Sequence, residues 1–231
     1  MRTSSHLHFL SAFVLSIAAL SLHAQTDVSA SVYGAFSSAT TANSTVESPS
    51  NQAGALVELR HIWNPLAGVE ATYSYNRANQ AYSSLTYPPC PVGGSACGPT
   101  TTTAAVPANA HEISGDWVAS VKLANLRPFA LAGGGVLLNV PTAGTVTATQ
   151  TSCALLNSLC SLTTTSIATE TQTKAVFVYG AGVDWTVLPH LGVRVQYRGN
   201  LYRAPDLATV FASTNSFTHS SEPMLGAFFR F

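Results

Sequence analysis

Charged side chains are scarce in this chain. Aspartate, glutamate, lysine and arginine together make up 9% of the 231 residues, whereas a soluble domain carries about 25%. Ten acidic residues balance ten basic ones, and the basic residues form no cluster. Nucleic-acid binding needs a basic patch, so the composition argues against that function. Hydrophobic residues reach 46% and the mean hydropathy is +0.23, which indicates that much of the surface avoids water.

Long apolar runs are missing as well. A membrane-spanning helix needs about 18 consecutive apolar residues, and no segment has that many. The longest apolar stretch, at about 9–22, follows the basic residue Arg2 and precedes the small residue Ala24. This order predicts a secretory signal peptide over residues 1–24 that is cleaved before Gln25; a short membrane anchor is the alternative. The folded domain is then residues 25–231.

Cysteine is rare, with Cys90 and Cys97 in one segment and Cys153 and Cys160 in another. Secretion brings a chain to an oxidising compartment, where each pair is expected to close a local disulfide. Pairing between the two segments is the open alternative. Four thiolates can also bind zinc, but the spacing within each pair is wider than zinc sites use, and no histidine lies near. We therefore expect neither a metal nor a cofactor.

Segments in which polar and apolar residues alternate are frequent in the sequence. In the clearest segment, Val193, Val195 and Tyr197 alternate with Arg194 and Gln196. This is the period of a β-strand with one apolar face. Similar segments of about ten residues recur along the chain. They predict eight strands, at about 28–37, 53–63, 68–76, 111–123, 128–138, 174–186, 192–202 and 223–231.

Short turns and long connections separate these strands in a regular order. This sorting is typical of a closed antiparallel barrel that spans an outer membrane with an even number of strands. We predict an all-β fold, a single transmembrane barrel with short periplasmic turns and long extracellular loops. Ten strands are the alternative, if the threonine-rich residues 145–151 and 163–173 form a hairpin; we favour extension of the fifth and sixth strands instead. The short turns lie at 64–66, 124–127 and 187–191, and the long connections at 38–52, 77–110, 139–173 and 203–222.

Charged residues within the predicted strands all share the parity of the polar face. An arginine or lysine on the lipid face costs about 2–4 kcal/mol at the membrane centre, so this segregation favours a barrel. The charged side chains are expected to line the lumen in pairs, because a buried charge needs a partner. A packed, ion-paired core is the interpretation we favour over a narrow ion path. The expected lumen residues are Glu58, Arg60, Glu70, Glu112, Asp116, Lys122, Asp184, Arg194, Arg198 and Arg230.

Aromatic residues lie near the ends of the predicted strands, where a barrel carries two interfacial girdles. The periplasmic girdle is expected to comprise Trp63, Phe129, Trp185, Phe229 and Phe231, and the outer girdle Tyr73, Tyr75, Tyr179 and Tyr202.

The final segment, residues 226–231 (GAFFRF), has a glycine followed by aromatic residues three and five positions later. In this pattern it is similar to the carboxy-terminal assembly signal of outer-membrane proteins. Residues 25–231 as a whole resemble the small eight-stranded barrels of the OmpA/OmpX and opacity-protein type. The resemblance implies that the barrel-assembly machinery recognises Gly226, Phe229 and Phe231. It also implies secretion to the periplasm and location in the cell outer membrane of a Gram-negative-type bacterium.

His219 and Ser221 form a His-x-Ser pair before the last strand, and this pair is similar to one in lipid A deacylase barrels. A serine nucleophile needs a base and an orienting acid within hydrogen-bond reach. The adjacent Glu222 faces the other side of a strand, and no carboxylate follows it. We therefore expect no catalytic residues and interpret the segment as a polar loop.

These patterns lead to three functional hypotheses. The first is a non-enzymatic barrel that supports the envelope and binds ligands or other surfaces through its loops. Its expected partners are outer-membrane lipid, lipopolysaccharide and, during biogenesis, the assembly machinery. The second hypothesis is a narrow, porin-like channel for small solutes. The third is a lipid A-modifying enzyme.

Overall fold

The computed structural model describes residues 25–87, 97–154 and 160–231, and these residues form β-strands and connections without a helix. Among them, no helix has the length and apolarity that a membrane span requires. The predicted signal peptide lies outside the described residues. The strands are β1 (Gln25–Ser37), β2 (Thr40–Ala42), β3 (Thr45–Pro49), β4 (Gln52–Asn64), β5 (Ala67–Arg77), β6 (Gln80–Thr86), β7 (Cys97–Val106), β8 (Ala108–Ser120), β9 (Leu126–Pro141), β10 (Thr145–Ala154), β11 (Cys160–Ala168), β12 (Gln172–Leu188), β13 (Leu191–Arg203) and β14 (Phe217–Arg230).

Eight of these strands close into an antiparallel barrel in the order β1-β14-β13-β12-β9-β8-β5-β4. Closure is made by β1, which pairs with β14 on one side and with β4 on the other. The register of the closing pair places Asp27 opposite Arg230 and Ser37 opposite Ser220. Every barrel strand therefore has two neighbours, which satisfies the backbone groups that lipid cannot. The predicted eight-stranded barrel is confirmed.

The barrel strands alternate between the lumen and the outer surface. On β4, Leu56, Glu58 and Arg60 are buried, whereas Val57 and Leu59 are about half exposed on the outside (50% and 52%). Such alternation follows from the period of two along a strand. An apolar exterior with a polar interior is the arrangement of a barrel in lipid.

At one end of the barrel, short turns join β4 to β5, β8 to β9 and β12 to β13. At the opposite end, the four connections are long, as predicted. Three of them are not loops, however, because each contains a hairpin: β2–β3, β6–β7 and β10–β11. We call this end of the molecule the upper end.

The three hairpins pair with one another in a six-stranded sheet of order β11-β10-β7-β6-β3-β2, which we call the upper sheet. Residues 145–151 and 163–173 were expected to extend barrel strands. Most of them instead pair in the β10–β11 hairpin, from Thr145 opposite Ala168 to Cys153 opposite Cys160. The physical reason is that threonine favours pleated structure and forms good cross-strand pairs, such as Thr149 with Thr164.

The fourth long connection, residues 204–216, folds over the upper sheet, and we call it the cap. It buries Leu207, Ala208 and Phe211 in an apolar cluster with residues of the upper sheet. The Phe211 ring stacks on Tyr82 of β6 at 5.2 Å between centroids. The Tyr82 hydroxyl donates to the Pro205 carbonyl at 2.7 Å and accepts from the Leu207 N–H at 2.9 Å.

The cap also connects the two edges of the upper sheet. The Thr214 hydroxyl lies 3.1 Å from that of Thr40 on β2. At the other edge, Ala208 forms a β-bridge with Thr169, which follows β11. The upper end of the barrel is therefore covered by a sheet and a cap that pack against each other.

Candidate functional site in the lumen

The lower half of the lumen, on the side of the short turns, is organised around Arg194 of β13. Its Nε donates to Asp184 Oδ1 at 2.7 Å, Nη2 to Asp27 Oδ1 at 2.9 Å and Nη1 to Glu58 Oε2 at 2.7 Å. Asp184 is the cross-strand partner of Arg194, whereas Asp27 and Glu58 come from β1 and β4. The guanidinium is fully buried. It thus joins carboxylates from three other strands.

Arg60 of β4 forms the second junction. Its Nε donates to Glu70 Oε2 at 2.6 Å, and its Nη1 lies 3.4 Å from Asp184 Oδ2. Glu70 is its cross-strand partner on β5. Arg60 and Arg194 therefore share Asp184, and the two guanidinium groups belong to one connected network. Hydrogen bonds between charged groups are stronger than neutral ones, which favours a fixed arrangement.

Phe129 lies inside this network and not in the periplasmic girdle, so that expectation was wrong. The Arg60 guanidinium stacks over its ring at 3.9 Å. A glycine on the facing strand makes the space: a Cβ on Gly182 would lie 2.6 Å from the Phe129 ring. The ring thus supplies an apolar, cation-binding surface within the charged lumen.

Arg198 lies four residues further along β13, in the upper half of the lumen. Its Nη2 donates to Glu112 Oε1 at 2.7 Å and to Ser114 Oγ at 2.6 Å, and it lies 3.8 Å from Asp116 Oδ2. Asn200 donates through Nδ2 to Glu112 at 2.8 Å. The upper lumen is therefore held together mainly by one guanidinium and one amide.

Arg230 stands apart from the other expected lumen residues. It is half-buried near the end of β14, where Nη1 donates to Thr186 Oγ1 at 3.2 Å and the guanidinium lies 5.0 Å from the Phe228 ring centroid. No carboxylate lies within 4.0 Å of it in the described part of the chain. Asp27, opposite it in register, is bound by Arg194 instead.

Three charged lumen residues were missed at the sequence level. Asp27 precedes the predicted first strand, Arg127 was placed in a turn, and Glu222 was placed in a long loop. All three are buried. Each of them lies one residue before the start of a predicted strand. Continuing the alternation of the strand backwards would have placed them in the lumen, because β1, β9 and β14 all begin earlier than predicted.

Two residues expected elsewhere also need correction. Tyr202 was assigned to the outer girdle, but its parity on β13 is that of Asn200 and it is buried inside. Lys122 was assigned to the lumen, but it lies exposed in the turn after β8. The other expected girdle residues have exposed rings on the outer surface: Trp63, Tyr73, Tyr75, Tyr179, Trp185, Phe229 and Phe231.

His219 and Ser221 lie on the outer face of β14. His219 Nε2 is 2.8 Å from the Tyr179 hydroxyl, and its Nδ1 is 3.5 Å from Ser221 Oγ. Glu222 points into the lumen, where it accepts from Asn200 at 3.0 Å. Among the described residues, the hydrogen-bond partners of this histidine are hydroxyl groups. The carboxylate that a catalytic histidine needs for orientation does not contact it.

Cys153 and Cys160 form a disulfide that closes the β10–β11 hairpin. Cys90 lies outside the described residues, so its pairing with Cys97 stays a prediction. In the ranges that the structure describes, no group of three or more histidine, cysteine, aspartate or glutamate residues is arranged to hold a metal ion.

One carboxylate is buried outside the lumen. Glu47 of β3 lies beneath the cap, and its burial, with a smaller contribution from Asp206, raises the pKa of this carboxyl to about 8. Lys174 acts in the opposite direction, but it binds Asp206 at 3.7 Å. Burial also raises the pKa of the Tyr82 hydroxyl. The Glu47 carboxyl therefore keeps its proton to a higher pH than an exposed glutamate does.

The family of the chain can now be stated. A family model described as "Outer membrane protein beta-barrel domain" matches residues 9–219. The chain belongs to this family. It is an integral outer-membrane barrel, with the upper sheet and cap on the extracellular side and the short turns on the periplasmic side.

The chain also matches solved structures of bacterial proteins. Ail, the attachment invasion locus protein of Yersinia pestis, in complex with the heparin analogue sucrose octasulfate, is 13% identical, with a TM-score of 0.46 over 90% of this chain and 99% of that one. Neisserial surface protein A is 14% identical, with a TM-score of 0.45 over 89% and 97%. OprG of Pseudomonas aeruginosa is 8% identical, with a TM-score of 0.46 over 90% and 95%. These values are too low to transfer a function. No curated protein matches the chain.

Proposed function

We propose that this protein is a sealed, non-catalytic barrel that anchors the upper sheet at the cell surface, where the sheet and cap meet extracellular ligands or neighbouring surfaces. The observation that carries the proposal is the Arg194 network. It occupies the lumen, which in an eight-stranded barrel is only wide enough for side chains. A barrel without a path for solutes can serve as a membrane anchor for the upper sheet and the cap.

Arg194 and Arg198 form ion pairs that cross the lumen. Arg194 of β13 reaches Glu58 of β4, and Arg198 of β13 reaches Glu112 of β8, which lies in the opposite direction around the barrel. Breaking a buried ion pair on one side costs about 3–5 kcal/mol, because an unpaired charge remains. Opening a water path requires several such breaks at once, so the closed state is strongly favoured.

The upper sheet supplies the interaction surface. One of its two edge strands, β11, pairs with β10 on one side and meets the cap on the other side only at its last residue, Ala168; its nine residues include no proline and no charged residue. Natural proteins usually protect such an edge with charge, proline or a bulge. An unprotected edge of polar residues, pinned by the Cys153–Cys160 disulfide, is suited to binding an extended segment of a ligand. Lipopolysaccharide around the barrel and the assembly machinery, through Gly226, Phe229 and Phe231, are further proposed partners.

Conductance in planar lipid bilayers tests the sealed lumen. Purified wild-type barrel is expected to give no steady channels. Arg194→Met removes the ion pairs of Arg194 across the lumen, so brief openings are expected in that variant, and Arg203→Met on the exposed end of the same strand is the matched control. Steady wild-type channels whose conductance changes in Arg194→Met or Glu70→Gln would overturn the proposal in favour of a porin-like channel.

Lipid A analysis tests the absence of catalysis. The acyl pattern of lipid A is expected to be the same in cells that express wild-type protein and His219→Ala. The enzyme hypothesis requires a change of acyl pattern that depends on His219 and Ser221.

A further inference from the structure

The two halves of the lumen differ in charge balance. In the lower half, four carboxylates (Asp27, Glu58, Glu70 and Asp184) accompany four guanidinium groups (Arg60, Arg127, Arg194 and Arg230). Further up, around Arg198, three carboxylates accompany one guanidinium: Glu112, Glu222 and Asp116, the last of which lies opposite Glu70 in register. When all four groups are ionised, the three carboxylates and one guanidinium carry two negative charges in excess.

Glu222 is the carboxylate with the weakest compensation. In the described part of the chain, no lysine, arginine or histidine lies within 4.0 Å of it. Its Oε1 accepts from Asn200 Nδ2 at 3.0 Å and from Ser220 Oγ at 3.3 Å, both neutral donors. The same Asn200 amide also binds Glu112, so the two carboxylates converge on one side chain. A buried charge without a counter-charge is costly, which calls for a positive group at this place.

A small polar cavity lies where these groups meet. Its volume is about 30 Å³, and Glu112, Glu222, Asn200 and Gln80 contribute to its lining. Within the described residues, two oxygens of the lining side chains, Asn200 Oδ1 and Gln80 Oε1, are buried without a hydrogen-bond partner. Nδ2 of Asn139, another lining residue, has no acceptor among the same residues. The space suffices for about one or two atoms or molecules of the size of water.

We propose that this cavity binds one divalent cation, calcium, through the carboxylates of Glu222 and Glu112 and the side-chain oxygens of Asn200 and Gln80. The ion supplies the two missing positive charges and gives the unpartnered amide oxygens a ligand. A water molecule beside it, accepting from Asn139, completes the cavity. The hydrogen bonds from Asn200 Nδ2 to Glu112 and Glu222 hold these two carboxylates beside each other.

The ligand chemistry selects calcium among cations. All four groups offer oxygen, which hard cations prefer, and none offers sulfur or imidazole nitrogen. Calcium accepts irregular sets of carboxylate and amide oxygens, whereas magnesium demands octahedral geometry and retains several waters. A cavity of this size has no room for a magnesium ion with that shell. Sodium also prefers oxygen ligands, but it supplies only one of the two positive charges.

Elemental analysis and thermal unfolding of the whole mature barrel in detergent test the proposal. Wild-type protein purified in CaCl₂ and then desalted is expected to retain one calcium per chain. After unfolding and refolding in EDTA, its Tm should fall and should recover with added CaCl₂ more than with equal MgCl₂ or NaCl. Glu222→Gln keeps the side-chain shape and removes one charge, so its calcium affinity should be lower by about tenfold or more.

Two further variants separate the site from general effects. Glu47→Gln makes the same change at a buried carboxylate outside the cavity and should bind calcium like wild type. Gln80→Leu removes a ligand oxygen without a charge and should also weaken calcium binding, which keeps the test decisive if Glu222→Gln does not fold.

Two outcomes would overturn the proposal. One is calcium binding that Glu222→Gln and Gln80→Leu leave unchanged, since the ion then lies elsewhere. The other is a folded wild-type barrel without calcium whose Tm does not respond to it, since protons then neutralise the upper carboxylates. Neither outcome depends on the conductance result, so this inference and the proposed function fail independently.

Discussion

Inside the barrel, a network of buried arginines and carboxylates lies beside clusters of apolar side chains, whereas the core between the upper sheet and the cap is apolar. The lumen is centred on Arg60, Arg194 and Arg198. The upper core is centred on Tyr82, Leu207 and Phe211. Both are built from strands with the same period of two. The difference arises from what lies on the other face of each sheet.

Lipid lies on the outer face of the barrel strands, so their apolar residues are placed outward and the polar residues must satisfy one another inside. Water lies around the upper sheet, so its apolar residues turn inward beneath the cap, as in a soluble protein. One chain thus switches the direction of its hydrophobic face where it leaves the membrane. The lumen is then stabilised by directional ion pairs and the upper end by apolar contact.

The largest expected effect comes from the lumen. Arg194→Met removes the guanidinium that binds Asp27, Glu58 and Asp184 and leaves these carboxylates without their shared partner. We expect a loss of about 3–5 kcal/mol in the free energy of unfolding, as for other broken buried ion pairs. Urea unfolding of the barrel in lipid vesicles measures it.

Arg203→Met is the control for this prediction. Arg203 lies on the same strand but is exposed, and its contacts are Asn215 Oδ1 at 2.6 Å and the Phe217 ring. A change below about 1 kcal/mol is expected there. Equal effects of the two substitutions would mean that the lumen network adds nothing to stability.

The next effect is expected in the upper core. Phe211→Ala removes the ring that stacks on Tyr82 beneath the cap. Burial of a phenylalanine is worth about 3 kcal/mol or more, so the cap should open without unfolding of the barrel. Proteolysis within residues 204–216 should accelerate, while urea unfolding of the barrel stays unchanged. Val210→Ala, at an exposed neighbouring position, should leave proteolysis as in wild type; loss of barrel stability in Phe211→Ala would show that the two cores are coupled.

The barrel could be predicted from the sequence because lipid imposes strict alternation. Glu58 and Arg60, for instance, share one parity with apolar residues between them, and charge confined to one face of an otherwise apolar strand is typical of a barrel in lipid. The upper sheet could not be predicted in the same way. In a run such as Thr163–Thr165 the same residue lies on both faces of the strand. The sequence then has no polar and apolar alternation from which the pairing partner and register could be inferred.

Most of the charged lumen residues could be predicted, but their contacts across the lumen could not. Arg194 and Asp184 are cross-strand neighbours, so their contact follows from register. The contacts of Arg194 with Asp27 and Glu58 cross the lumen and depend on barrel closure. Phe129 shows a further limit: an aromatic residue near a strand end fits a girdle as well as a lumen, and only the glycine at position 182 reveals the space inside.

A further effect is expected in the pH dependence of the cap. The Glu47 carboxyl has a pKa of about 8 when folded, compared with 4.5 when exposed, because it is buried. Between these values the folded state binds a proton that the open state releases, so closure of the cap is weakened as pH rises. Its full stability is present below about pH 4.5 and this contribution is lost by about pH 8. Hydrogen exchange of β3 and β6 amides, corrected for intrinsic rates, should therefore report more opening at about pH 8 than at about pH 5.

Glu47→Gln is expected to remove this slope, since glutamine does not titrate, while Glu170→Gln at an exposed position beside the cap should retain it. If opening of the upper sheet increases with pH equally in wild type and Glu47→Gln, the pH sensitivity does not arise from the buried carboxyl beneath the cap.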